Sequence, residues 1–210
     1  VEFVTIADRQ YGGRAVTERR AERRQRFVVA ATKVFAERGY ANCSLADVCA
    51  AAGLSKRQFY EEFQTREDVL IAAYDRVQDE AAAAVVRTLG TLSPADPARA
   101  MAVVLSAYLD SITSDPYRAK LAFIEVVGAS DRMEQHRRER RHGWVTLLEM
   151  VVVPIAGPGA RLRGDAALSA SVLIGAVNGL AHEWLLMQPR PDVSELTDLL
   201  IPVALSLIET

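Results

Sequence analysis

The segment from Leu45 to Glu62, LADVCAAAGLSKRQFYEE, restricts the fold more than any other stretch of the chain. It reads as a short helix, a glycine turn and a second short helix. Two helices cross steeply over a three- or four-residue turn only where one residue is free to take positive φ, and Gly53 supplies that freedom. The contact between them needs a small side chain, met by Cys49, and apolar inner faces, met by Val48, Ala52, Leu54 and Phe59. Lys56, Arg57, Gln58 and Tyr60 are then left outward, and these side chains suit guanine edges, adenine edges and phosphates. A plain helical corner of a core would carry the same local pattern.

Elsewhere apolar residues recur at helical spacing, while alternating β-branched runs bounded by turns are nearly absent, so the chain reads as all-α with about nine helices. Residues 1–16 read as a flexible basic arm broken at Gly12-Gly13. Thr17 is the expected cap of a first helix whose apolar face is Phe27, Ala31, Val34 and Phe35 and whose stop is Gly39. Ser44 with Asp47 opens the second helix, Ser55 the third, and Thr65 a long fourth that continues to about Leu89. Ser93-Pro94 and Asp115-Pro116 pair a capping side chain with a proline at the first helical position. A further helix is expected from Asp131 to Val153, then a Gly/Pro-rich loop over 157–164, then a final pair over about 165–187 and 194–209.

With 210 residues, half of them hydrophobic and a quarter charged, the chain has material for a real core. The net charge of −2 hides an asymmetry: 12 basic and 10 acidic residues precede the cut after Leu70, with Arg14, Arg19, Arg20, Arg23, Arg24 and Arg26 clustered among them. That arginine run reads either as a backbone- or groove-following arm or as a solvated face balanced by Glu18 and Glu22. Cys43 and Cys49 match neither a disulfide framework nor a zinc site. No apolar run reaches the length of a membrane span, and the first residues lack the order of a secretion signal. The expectation is a cytoplasmic protein without metal or cofactor. Catalysis is not expected, since nucleophile motifs, phosphate loops and metal-spaced histidines are all missing.

Three motifs in order, Phe35-Ala36-Glu37-Arg38-Gly39-Tyr40, the helix Ser44 to Gly53, and Leu54-Ser55-Lys56-Arg57-Gln58-Phe59-Tyr60-Glu61-Glu62-Phe63 running on to Leu70, resemble the DNA-binding domain of the TetR family of transcriptional regulators. The resemblance implies a helix-turn-helix domain over 17–64 and a ligand-binding and dimerisation domain over 65–210. It makes Lys56, Arg57 and Gln58 base readers. Ser44, Ser55, Tyr60 and Arg66 would position the duplex through phosphates, with helix N-terminal amides assisting. Arg66 stands where lysine is more usual, and Glu61 and Glu62 bring two carboxylates to the recognition helix. Glu61 would then be a solvated side chain or an acceptor for cytosine.

In the second domain the last two helices carry apolar faces. Val172, Gly175, Ala176 and Gly179 on one, and Leu196, Leu199, Leu200, Val203 and Leu207 on the other, are expected at a homodimer contact, with Pro202 kinking the last helix. Met101, Tyr108, Phe123 and Trp144 offer apolar surface to a small-molecule effector, and Glu125, Glu149 and Asn178 offer polar groups to orient it. Arg137, Arg138, Arg140 and Arg141 read as a solvated basic face. The implied function is a ligand-responsive repressor that binds a palindromic double-stranded DNA operator as a homodimer. The alternative is a helical homodimer that binds a small molecule or protein partner, with weak or no specific DNA binding.

Overall fold

A computed structural model describes residues 6–90, 97–149, 153, 157 and 159–209. Nine α-helices are found among them: α1 (Ile6–Arg38), α2 (Leu45–Ala52), α3 (Lys56–Glu62), α4 (Arg66–Leu89), α5 (Pro97–Thr113), α6 (Pro116–Lys120), α7 (Asp131–Leu147), α8 (Ala166–Leu186) and α9 (Val193–Ser206). The fold is all-α, as expected. α6 runs on into a wider π-helical turn, Leu121–Glu125. The expected start at Ser93-Pro94 and the expected stop at Pro154 lie outside the described residues, as do residues 1–5 of the arm.

α1 differs most from expectation. It is helical from Ile6, so residues 6–16 continue the helix and form no separate arm, and Thr17 is not its cap. Two glycines cost about 1 kcal/mol each against alanine, which weakens a helix without ending it when helix-favouring residues flank both sides.

Packing divides the chain into two compact units at Ala73 and Tyr74, inside α4. The head is built on α1, which packs against α2 and α3. Its centre is an aromatic triad: the Phe27 and Phe59 rings stand edge to face at 5.2 Å, and Phe63 lies 6.2 Å from Phe27 and 5.5 Å from Phe59. All three rings are buried, along with Val48, Cys49, Val69 and Leu70.

In the body, α9 lies chiefly on α5, and α7 lies on α8. The stripe Leu196, Leu200 and Ala204 of α9 is buried, as are Leu109 and Ile112 of α5. Pro202 sits inside α9, which continues past it to Ser206. A two-residue antiparallel ladder pairs β1 (Arg161–Leu162) with β2 (Ile208–Glu209), in the register Arg161 with Glu209 and Leu162 with Ile208. This ladder replaces the last helical turn expected up to Glu209, and Arg161 and Arg163 both reach the Glu209 carboxylate.

Candidate nucleic-acid interface and effector cavity

Gly53 stands at φ 62° and ψ 36°, the left-handed conformation on which the α2–α3 turn depends. Two reciprocal capping boxes start the helices on either side. Ser44 Oγ accepts from the Asp47 amide at 3.2 Å, while the Asp47 carboxylate accepts from the Ser44 amide at 2.8 Å. Those Ser44 bonds, with Arg38 adding its charge, hold the Asp47 carboxyl below the usual carboxylate range. Ser55 Oγ likewise accepts from the Gln58 amide, and Gln58 Oε1 accepts from the Ser55 amide at 2.9 Å. The Gln58 carbonyl oxygen is therefore turned back into the cap, leaving only its NH₂ group to face outward. Lys56 is exposed, Arg57 is almost fully so at 91 %, and Tyr60 leans its ring edge on buried Phe59 with most of its surface in solvent. α3 thus anchors itself through one face and offers two cations and a phenol on the other.

The arginines of α1 have a structural task in the head that local sequence did not disclose. Glu62 is nearly buried, with its carboxylate 3.2 Å from Arg20 and 3.3 Å from Arg23. Arg20 also donates to the Glu61 carbonyl, and Arg24 donates to the Glu62 carbonyl while stacking over Phe63. Arg26 donates to the Ala52 carbonyl at 2.7 Å and reaches Gly53. The C-terminal carbonyls of α2 and α3, which a helix leaves unpaired, are thereby capped by cations of the favourable sign. Glu61 stays exposed and pairs with Arg57 at 3.6 Å and Arg23 at 3.5 Å. Arg66 donates to the Cys43 carbonyl and stacks over the Tyr40 ring at 4.2 Å, so its guanidinium holds the head together internally.

The body holds a cavity of about 780 Å³ of atom-free space, counting the part at its open mouth. Val85, Val104, Leu105, Leu173 and Val177 form its apolar wall. Tyr74 and Gln78 of α4, Tyr108 of α5, Arg137, Arg141 and Trp144 of α7 and Asn178 of α8 supply the polar groups. Trp144 Nε1 donates to Gln78 Oε1 at 2.9 Å, and its ring meets Tyr108 edge to face at 5.0 Å. Burial pushes the hydroxyls of Tyr74 and Tyr108 above the ordinary phenol range, Tyr108 the further. Both therefore stay neutral donors.

Residues 27–73 match the model of the bacterial regulatory proteins of the tetR family. Those residues carry the DNA-binding domain of the TetR family. The HTH-type transcriptional activator FasR of Mycolicibacterium smegmatis is 29 % identical over 104 residues, which are 50 % of this chain and 47 % of FasR. The chain thus matches about half the length of that relative. Two solved structures share the fold over most of this chain. The fatty acid degradation regulator FadR from Bacillus halodurans has a TM-score of 0.73 at 19 % identity, covering 88 % of this chain and 94 % of its own. The transcriptional regulator FadR from Bacillus subtilis, solved with stearoyl-CoA, has a TM-score of 0.71 at 18 % identity, covering 88 % and 99 %.

The expected effector residues divide. Tyr108, Trp144 and Asn178 line the cavity. Phe123 is buried core, Met101 is buried beside a smaller void, Glu125 faces Lys120 at 3.8 Å and Glu149 is exposed, so none of these four reaches the main cavity. Sequence reasoning missed Tyr74, Gln78, Arg137 and Arg141. The helix that carries the two arginines is too polar to advertise an inward face, and it is not wholly solvated as expected: Arg140 pairs with Asp79 and His136 with Asp75. The expected dimer residues divide too. Val172, Gly175, Gly179 and Leu199 are exposed, Ala176, Val203 and Leu207 are half-buried, and Leu196 and Leu200 belong to the core of their own chain. Leu168 and Leu186 extend the exposed α8 stripe in both directions.

Proposed function

We propose that this regulator binds a palindromic operator as a homodimer through α3, with Lys56 and Arg57 reading base edges, the Gln58 amide beside them, and Tyr60, Ser44 and Ser55 positioning the phosphates. The observation that carries this reading is the two-faced α3: Phe59 is sealed in the head while Lys56, Arg57 and Tyr60 stand in solvent. The rival with weak DNA binding drew its force from the carboxylates of α3. Glu62 is neutralised by Arg20 and Arg23, and Glu61 has Arg57 beside it, so that force is largely removed. The exposed apolar residues Leu168, Val172 and Leu186 of α8 and Leu199 of α9 support a dimer contact, since exposed apolar patches mark interaction sites.

The body then acts as the sensor: an effector entering its cavity releases the operator, giving a ligand-responsive repressor that works in the cytoplasm. The FadR relative bound to stearoyl-CoA supports an effector with an acyl chain, and the apolar wall of the cavity matches the chemistry of one. Because α4 carries both Arg66 of the head and the cavity residues Tyr74 and Gln78, it is the element through which an effector would bias two conformations that differ in DNA affinity. Fluorescence anisotropy with DNA flanking the protein's own gene tests the reading. Sequence-specific binding that weakens steeply with salt is expected, and salt-insensitive or non-specific binding would refute it.

A further inference from the structure

Resting on the reading that the cavity takes an effector, we infer that this effector is an amphipathic anion, its acidic group held by Arg141 and its apolar body lying on the Val85, Leu105 and Leu173 wall. Among the described residues the cavity lining includes two arginines and no carboxylate. Arg137 is largely neutralised, since its guanidinium bonds both Glu134 oxygens at 2.8 Å. Arg141, one turn further along the same face of α7, is half-buried and makes no ion pair among the described residues. The acids of α4 and α7 around it are engaged: Glu134, whose carboxyl also feels the Arg141 charge, by Arg137 and the Gly128 amide, Asp75 by His136 and Arg140, Asp79 by Arg140.

A half-buried cation lining a largely apolar cavity is less well solvated than one in water, and covering it with a neutral or cationic ligand would desolvate it further without a partner. An anion resolves this by forming a charge-assisted hydrogen bond where the surroundings strengthen it. Tyr74 lies in the same lining, kept protonated by its burial, and can add a second donor. Two sources share this chemistry: the carboxylate of a free acid and the phosphates of an acyl thioester carrier.

Isothermal calorimetry on the full chain with decanoate, decanol and decyltrimethylammonium, each below its micelle-forming concentration, separates head charge from tail. Decanoate should bind about tenfold or more tightly than decanol, as a hydrogen bond to a charged group predicts, and the ammonium should bind least. Arg141→Gln should bring decanoate down to the level of decanol while leaving decanol unchanged. Arg141→Lys should keep the preference, and Arg138→Gln, on the exposed face of α7, should not alter it. Decanoyl-CoA binding above decanoate identifies the phosphates as the anion held, and binding below it identifies the carboxylate. Equal affinity for decanoate and decanol, a preference that survives Arg141→Gln, or no binding of any of these ligands overturns the inference. Operator anisotropy measured in parallel fails independently: a chain that selects anions without binding DNA would refute the DNA-binding reading alone.

Discussion

Glu62 shows how one side chain can look like an obstacle and serve as a tie. A carboxylate on a helix proposed to read DNA would repel phosphate if it faced outward, but here it lies under Arg20 and Arg23 with almost no exposure. Replacing it with alanine leaves two guanidinium groups without their shared partner, and because both are partly exposed the cost should be about 1–2 kcal/mol. Chemical denaturation checks this, and Glu62→Gln should recover part of the loss. Lys56→Ala and Arg57→Ala should leave stability nearly unchanged and weaken operator binding by about 1–3 kcal/mol each, read by anisotropy. The partners of Glu62 are 42 and 39 residues away in sequence, beyond any local pattern, which is why the capping serines were legible in the sequence and this tie was not.

Among the helices, α8 and α9 show why a hydrophobic face is easier to detect than to orient. Leu199 and Leu200 are adjacent, yet one is 62 % exposed and the other 2 %, because α9 turns Leu196, Leu200 and Ala204 inward and α5 covers one side of it. Periodicity showed that both helices are apolar without saying which stripe the chain itself would bury. Val172→Glu or Leu199→Glu should convert a dimer to a folded monomer in analytical ultracentrifugation. Leu200→Ala should instead destabilise the chain by about 2–5 kcal/mol through the cavity it leaves. α4 is tied to α6 through Glu80, which accepts from Arg118 and from Arg76. Burial opposes ionisation of this carboxyl, but the two arginines prevail and hold it below its usual 4.5. A lowered value contributes stability above about pH 4.5 that is lost as pH falls through the folded-state value. Glu80→Gln should therefore be less stable than the natural chain at neutral pH, with the gap closing under acid, as denaturation midpoints across pH will report.

For the whole molecule, the overall charge of −2 argues neither for nor against DNA, because the cations are allocated rather than pooled. Several arginines of α1 hold the head together, leaving Lys56 and Arg57 as the outward pair on α3. The salt dependence of operator binding should accordingly be modest per head and rise with the number of heads engaged. A monomeric Val172→Glu variant tests this, with an expected slope about half that of the natural chain.

The arginine capping of α2 and α3 bears on how such a regulator can be re-targeted. A recognition helix is often imagined as a cassette to be exchanged between proteins, with a new operator preference travelling along with it. Here the α3 segment ends at a glutamate that answers to two arginines on α1, and Arg26 of that helix closes the turn before α3 begins. A graft of residues 55–61 that keeps Glu62 preserves both anchor points and should transfer preference cleanly. A graft that extends through position 62 without its matching arginines would carry the proposed reading residues into the wrong frame.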